Sequence, residues 1–230
     1  MLLNSADIAL LVMETAAPLV TSVDALTSVR ALDAVMSSLR IFAAIDEASK
    51  IVDAEDAGTT SPLPSFLPQV HATWPFFVSA VTSGHDVACR QAYEHISHTA
   101  KLSGGDFLRD RMRNDLWPHM RKALHPDAGL RTQVAVLQFI RSVAADERSR
   151  DAFRSIAMSI ADAVSDLLSR DVSLARVGEA DIAMQALESL SSLDGDGVYL
   201  LLCRLGRAKL PQPPVVRCDL GRPLFAALQA

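Results

Sequence analysis

Apolar residues along this chain recur at the spacing of an α-helix. The first long stripe lies before residue 53. Its members recur at helical steps of three and four, with Val35 and Met36 adjacent, which predicts one long helix with a single buried face. Its members are Leu26, Val29, Leu32, Val35, Met36, Leu39 and Phe42.

The same spacing predicts a series of helices downstream. One runs from Leu63 to about Thr82 with Pro68 near its first turn, and the next spans Asp86–Ser103. Gly104 and Gly105 end that helix, and Asp106 is expected to cap a successor that continues to about Leu124. Apolar groups around Phe139 and Ile160 predict two more helices, and weaker patterns predict helices over 181–193 and 198–205.

A repeat organises the middle of the chain. Trp74-Pro75 recurs as Trp117-Pro118, 43 residues later, and a proline inside a helix predicts a kink near each tryptophan. At the same offset the apolar residues pair as Ala80 with Ala123, Val81 with Leu124, Ala92 with Ala135, Tyr93 with Val136, Ile96 with Phe139 and Ala100 with Val143. A period of about 40–47 residues is typical of HEAT-type helix pairs, which bury their apolar faces only by stacking. The predicted fold is therefore an all-α solenoid of about four antiparallel pairs.

Two segments lack helical periodicity. Residues 53–62 combine acidic side chains with Gly and Pro and predict an exposed loop, and residues 206–230 form a Pro-containing tail that is expected to be poorly ordered. We expect residues 1–205 to form a single helical repeat domain.

Composition narrows the class without identifying a reaction. Half of the residues are hydrophobic but only 5% are aromatic, and the three cysteines have no C-x-x-C spacing. Neither a disulfide framework nor a zinc ribbon is indicated. No stretch approaches the roughly 20 apolar residues of a membrane span, and no basic segment leads into the apolar run near the start. These features predict a cytoplasmic protein that could also be nuclear.

Candidate chemistry is sparse. His95 and His98 are three apart on one predicted helix, but no H-E-x-x-H pattern accompanies them. Nucleotide-binding loops and nucleophile elbows are missing too. We therefore predict no catalytic residue, no metal and no cofactor.

A composite pattern resembles a known family. Its parts are the segment from Leu67 to Pro75, which reads LPQVHATWP, the segment Gly105 to Arg111, which reads GDFLRDR, and the second Trp-Pro after Asp115 and Leu116. The pattern is similar to the carboxy-terminal HEAT repeats of the Tel-two-interacting protein one family. That resemblance implies an all-helical, non-enzymatic subunit of the Tel-Tti-Tti cochaperone complex. It further implies the other Tel-Tti subunits as partners and, through them, a chaperone and the phosphatidylinositol-kinase-related kinases whose folding the complex supports.

Charge is uneven along the chain. Residues 1–100 contain four Lys/Arg and eleven Asp/Glu, whereas residues 101–154 contain eleven and seven. Arg109, Arg113 and Arg121 lie on one predicted helix, and the first two, four apart, share a face if the helix is regular. They either form a solvated face screened by nearby aspartates or bind an acidic segment of a partner.

Trp74 and Trp117 are interpreted as packing residues of the repeat rather than as interface anchors.

Two functions from different classes follow. The first is a helical-repeat adaptor that binds protein partners. The alternative is a DNA repair enzyme on a HEAT-like scaffold, of the alkylpurine DNA glycosylase type, which needs a basic groove for phosphate contacts. A formal net charge of −5 argues against nucleic acid as a partner.

Overall fold

The computed structural model describes residues 4–52, 65–125 and 128–168, together with 185, 186, 188 and 190. Within these ranges the regular secondary structure is entirely helical, which confirms the all-α prediction of a helical repeat. The predicted acidic loop, the helix over 198–205 and the tail lie outside the described residues.

The chain divides into two compact units, residues 1–103 and residues 104–230. The prediction of a single domain over 1–205 stays a prediction.

The first unit contains four α-helices in its described part. These are α1 (Ser5–Ala16), α2 (Ala25–Val52), α3 (Phe66–Thr82) and α4 (Asp86–Ser103), and a short 3-10 segment, Ala17–Thr21, joins the first two. Asn4 caps α1: its side chain accepts a hydrogen bond from the backbone N–H of Asp7, and the Asp7 carboxylate accepts one in return from the backbone of Asn4.

Helix α2 forms the centre of the first unit. It packs against α1, α3 and α4, so its stripe is covered from several sides. Burial of each large apolar side chain stabilises the unit by about 1.5–3 kcal/mol relative to exposure. The predicted stripe is confirmed over five members that are at most 1% exposed: Leu32, Val35, Met36, Leu39 and Phe42. It is wrong at Leu26, which is 56% exposed in the first turn of the helix.

Helices α3 and α4 form the first helix pair of the predicted repeat. Three residues, Ser83 to His85, separate the two helices, and Gly84 has a φ of +77°, a conformation that favours glycine. Because the connection is this short and the helices pack together, they run antiparallel. Pro75 lies inside α3, which continues through it as one helix from Phe66 to Thr82. The predicted bounds of α4, Asp86 to Ser103, are confirmed.

The described part of the second unit contains shorter helices. They are α5 (Gly105–Arg111), a π-helical segment (Met112–Leu116), α6 (Trp117–Ala123), α7 (Leu130–Ala145), a 3-10 segment (Arg150–Phe153) and α8 (Ala157–Leu168). Helix α6 packs against α7, which is the second helix pair of the predicted repeat.

The burial pattern follows the 43-residue offset closely in the second helix of each pair. Tyr93 and Val136, Ile96 and Phe139, and the other pairs predicted there are at most 5% exposed. The first helices differ more. Trp74 is 2% exposed, whereas Trp117 is only partly buried. The repeat is therefore more regular in α4 and α7 than around the two Trp-Pro dipeptides.

A close backbone contact begins the second unit. The backbone N–H of Gly105 donates a hydrogen bond of 2.8 Å to the carbonyl of Arg148. A Cβ atom at position 105 would lie 2.4 Å from the backbone nitrogen of Ala152 and 2.7 Å from the carbonyl oxygen of Ser149. Only glycine allows the start of α5 to approach the Ser149–Ala152 backbone this closely.

The capping role predicted for Asp106 is wrong. Helix α5 begins two residues earlier than this cap predicts, with Gly104 at the N-cap position and a φ of +83°. Asp106 therefore lies within the first helical turn, where its carboxylate pairs with Arg109. A negative charge in the first turn still interacts favourably with the helix dipole.

We expect Gly105→Ala to lower the free energy of unfolding by about 1–3 kcal/mol, because the added methyl group would push apart two backbone segments. Urea unfolding of the full chain, followed by circular dichroism, measures this change. Gly129→Ala is the matched control, since a Cβ there would meet only the Thr132 hydroxyl at 4.0 Å. Equal stability of Gly105→Ala and the unmodified chain would contradict this account of the contact.

Candidate partner-binding surface

The helix that carries the predicted site residues is not regular. Its buried residues recur strictly every four positions: Leu108, Met112, Leu116, Met120 and Leu124. In an α-helix of 3.6 residues per turn, each step of four rotates the side chain by about 40° away from the previous one. The π segment Met112–Leu116 is wound less tightly, and it returns the stripe to the core. The spacing of four therefore explains the π segment.

The second Trp-Pro dipeptide lies directly after this π segment. Trp117 and Pro118 are the first two residues of α6, a position where the missing N–H of proline costs little. A kink was predicted near Trp117, and a change of helix type occurs there. The first dipeptide is different, because Pro75 lies in the interior of α3.

The Arg109 side chain forms an ion pair and a hydrogen bond within its own unit. Its guanidinium pairs with the Asp106 carboxylate, and its Nε donates a hydrogen bond of 3.4 Å to the Asp151 carbonyl. Its side chain is only 34% exposed. Arg109 thus joins α5 to the 3-10 segment Arg150–Phe153 and is less accessible than the other predicted site residues.

Arg113 and Arg121 are exposed, the first on the π segment and the second on α6. No ion pair forms to either of them among the described residues. Because the π segment lies between Arg109 and Arg121, the angular spacing expected for a regular α-helix does not hold across it. Lys122 and Arg131 are also exposed, and they lie beside the turn that joins α6 to α7.

We call Arg113, Arg121, Lys122 and Arg131 the basic surface. Its last member is at the second position of α7, where a positive charge opposes the helix dipole. Lys122, in the last turn of α6, interacts favourably with its own helix end instead. Helix stability therefore accounts for Lys122 but not for Arg131.

Two other arginines of the second unit have carboxylate partners close by. Arg154 Nη2 lies 2.7 Å from Asp151 Oδ1, and Arg150 Nη2 lies 3.8 Å from Glu147 Oε1. Exposed pairs of this kind contribute little stability, about 0–1 kcal/mol each. They do reduce the positive charge that these arginines present to a partner.

A polar cluster in the first unit joins α2 to α4. Asp33 Oδ1 accepts hydrogen bonds of 2.8 Å from Gln91 Nε2 and of 2.9 Å from His95 Nε2. With Asp33 as acceptor, neutral His95 carries its proton on Nε2, and its buried Nδ1 has no hydrogen-bond partner. The spacing of His95 and His98 in the sequence suggests a test for a metal site. The contact of His95 with Asp33 cannot be predicted from such spacing, because it depends on the packing of two helices that are far apart in the sequence.

Two histidines and a cysteine of α4 favour their neutral forms. Burial lowers the pKa of His95, although the Asp33 carboxylate acts in the opposite direction. The pKa of His98 is also lowered, by partial burial and by the nearby charges of Arg40 and Lys101. Burial raises the pKa of Cys89 to about 11, so this residue is a protonated thiol near neutral pH.

Two further features bear on function. No group of three or more His, Cys, Asp or Glu side chains in the described part of the chain is arranged to hold a metal ion. Of the helices whose residues are described, none has both the length and the apolar character needed to cross a membrane.

Comparison with known proteins decides the family. Residues 2–198 match the family model described as the TTI1 C-terminal TPR domain. The chain belongs to this family. Comparison of the TTI1-family chain with curated proteins and with solved structures found no match in either case.

The match confirms the resemblance and places the TTI1-family chain among helical-repeat scaffolds. The family description uses the term TPR, whose unit is about 34 residues long, whereas the two Trp-Pro dipeptides are 43 residues apart. Repeated pairs of antiparallel helices are common to both types. The specific roles of Arg109, Arg113 and Arg121 stay predictions.

We expect the stability of the TTI1-family chain to fall as the pH is lowered from about 7.5 to about 5.5. The pKa of His95 is lower in the folded state than its ordinary value, so the unfolded chain takes up this proton first as the pH falls. The contribution of neutral His95 to the free energy of unfolding is therefore complete above the ordinary histidine pKa. It is lost as the pH falls through that value toward the lower folded-state pKa. Urea midpoints measured at the two pH values test this sign.

His95→Gln should reduce that pH dependence, because glutamine can still donate a hydrogen bond to Asp33 but does not titrate. Part of it should remain, since the pKa of His98 is lowered as well. His85→Gln, in the turn between α3 and α4, is the matched control for the loss of one histidine, and its loss of stability at low pH should exceed that of His95→Gln. An undiminished loss of stability at low pH in His95→Gln would contradict the assignment.

Proposed function

We propose that this TTI1-family chain is a non-enzymatic adaptor whose basic surface binds an acidic segment of a protein partner. The observation that carries the proposal is the exposure of Arg113, Arg121, Lys122 and Arg131 without ion pairs among the described residues. Membership of a helical-scaffold family supports the adaptor class.

The charge pattern supports an acidic partner. The second unit neutralises several of its arginines locally, and Arg109, Arg150 and Arg154 all have carboxylates within reach. Cations that are left exposed attract opposite charge over about 8–10 Å at moderate ionic strength. They therefore increase the association rate with an acidic segment and select against a basic one.

The π segment supports the same surface. Single π turns inside helices occur frequently at functional sites. Here the segment carries Arg113 on its exposed side and Met112 and Leu116 in the core. The side chain of Arg113 is thus presented from a helix whose buried face is well packed.

The finer assignment follows from the family. We propose that the partners are the other subunits of the Tel-Tti-Tti cochaperone complex and that the chain supports maturation of phosphatidylinositol-kinase-related kinases together with a chaperone. It would act in the cytoplasm and also in the nucleus. The neutral, buried Cys89 thiol is consistent with a role that does not depend on nucleophilic chemistry.

No structural observation favours the glycosylase alternative. The basic surface could nevertheless contact phosphates, so DNA is included as a competing ligand. Binding to DNA through phosphates would weaken steeply with salt and would not depend on a protein partner.

The test is a double charge reversal, Arg113→Glu with Arg121→Glu, in the full chain. We expect its affinity for purified Tel-Tti subunits to fall by at least about tenfold, which corresponds to about 1.4 kcal/mol. Surface plasmon resonance at two salt concentrations measures both the affinity and its salt dependence. The salt dependence should be smaller in the variant, because fewer charge contacts remain.

Arg30→Glu with Arg90→Glu is the matched control, since it makes the same change in net charge at exposed positions of the first unit. Its affinity should equal that of the unmodified chain. Equal binding by the two double variants would contradict a role for the basic surface, and a salt-sensitive mobility shift with duplex DNA would favour the glycosylase alternative.

A further inference from the structure

Helix α1 faces its neighbours with three alanines and one methionine. Its buried residues are Ala6, Ala9, Met13 and Ala16. Its larger branched residues lie elsewhere on the helix, with Ile8 48% exposed, Leu11 53% and Val12 38%. A surface helix normally shows the reverse, with large apolar residues toward the core and polar ones toward solvent. The exposed side of α1 therefore requires its own explanation.

The three exposed residues form one stripe. Positions 8, 11 and 12 are separated by three and four residues, so they lie on the same side of α1. Helix α1 packs mainly against α2 and the segment Ala17–Thr21, and the buried alanines allow α2 to approach closely. Contact with α2 thus uses the alanine side and leaves the stripe uncovered.

An acidic edge accompanies this stripe. Asp7 and Glu14 are exposed and seven residues apart, and Leu11 lies four residues after one and three before the other. All three therefore share one side of the helix. Residues 1–29 contain three acidic side chains and no Lys or Arg. Helix α1 itself thus carries two carboxylates and no cation beside the uncovered apolar stripe. Asp7 also caps the helix, and the first cation of the chain, Arg30, lies on α2 and interacts with Asp24.

We propose that Ile8, Leu11 and Val12, with the acidic edge of Asp7 and Glu14, bind an amphipathic helix of a protein partner that carries Lys or Arg beside its apolar residues. The apolar stripe matches helix-to-helix recognition, in which anchors recur at three and four positions. The acidic edge selects the charge of the incoming helix.

The charge argues against two other occupants. A second copy packed through the same stripe would bring Asp7 and Glu14 close to their own equivalents, and like charges oppose such a contact. An anionic lipid surface attracts helices with Lys or Arg on their polar side, and α1 has neither. A basic helix is the occupant for which both the apolar and the charged parts of the surface are complementary.

This surface shares no residue with the basic surface. It lies in the first unit, has the opposite charge and selects the opposite kind of partner. The inference therefore stands or falls independently of the proposed function, and the variants that test it leave Arg113 and Arg121 unchanged.

The probe is a fluorescein-labelled amphipathic peptide with leucines at helical spacing of three and four and lysines on both sides of that stripe. We expect saturable binding to the full chain in fluorescence anisotropy. Ile8→Ser with Leu11→Ser should weaken it by at least about tenfold, because two exposed anchors are lost at no cost to the core. Circular dichroism confirms that the variant keeps its helices.

Val87→Ser with Leu102→Ser is the matched control, since these α4 residues are 53% and 45% exposed in the same unit. It should bind the peptide as the unmodified chain does. Glu14→Lys should weaken binding of the lysine peptide and strengthen binding of a version with glutamate at each lysine position.

Several results would overturn the proposal. They are the lack of saturable binding, equal binding of the lysine and glutamate peptides, and equal binding by the Ile8/Leu11 variant. Sedimentation that shows a dimer of the full chain, lost in that variant, would assign the stripe to a second copy. Flotation with phosphatidylserine vesicles, lost in the same variant, would assign it to a lipid surface.

Discussion

The two described units depend on one constraint, which is that an amphipathic helix buries its apolar stripe only if another helix covers it. Helix α2 illustrates this in the first unit: Leu32, Met36 and Phe42 are fully covered because α1, α3 and α4 all pack against the same helix. In the second unit the stripe from Leu108 to Leu124 is covered as completely, although its helices are shorter. Since isolated short helices are marginal in water, this mutual burial provides most of their stability.

The same constraint explains the irregular places. A stripe with a strict spacing of four does not stay on one side of a regular α-helix, and the Met112–Leu116 segment changes to π geometry so that burial is kept. Close packing makes a similar demand at Gly105, where the backbone of another segment takes the space of a side chain. In both cases packing against another segment decides the local backbone. The spacing of four between buried residues goes with the π segment, and the lack of a side chain at Gly105 allows the close backbone contact.

Much of the fold could be predicted from the sequence, and the reasons are local. The bounds of α4 follow from a strong apolar face and from Gly104, whose positive φ ends the helix. The strict spacing of four from Leu108 to Leu124 does not fit a regular α-helix over its full length. It does not fix where the π turn lies, because over one or two turns the same spacing fits an α-helix. Of the predicted site, the exposure of Arg113 and Arg121 follows from their positions between buried residues. The engagement of Arg109 depends on the Asp151 carbonyl, 42 residues away, and no sequence pattern indicates that contact.

Exposed charge and exposed apolar surface have different origins in the two units. In the first unit α1 uses alanines for its internal contacts, which leaves its larger side chains available without weakening the core. In the second unit local carboxylates pair with several arginines, and four exposed cations without such partners make up the basic surface. An adaptor that binds different partners needs surfaces that select against each other's ligands, and opposite charge achieves this at small cost. Because both surfaces consist of side chains that the core does not use, substitutions in them alter the exposed charge and apolar area while the buried stripes, and hence the fold, stay the same.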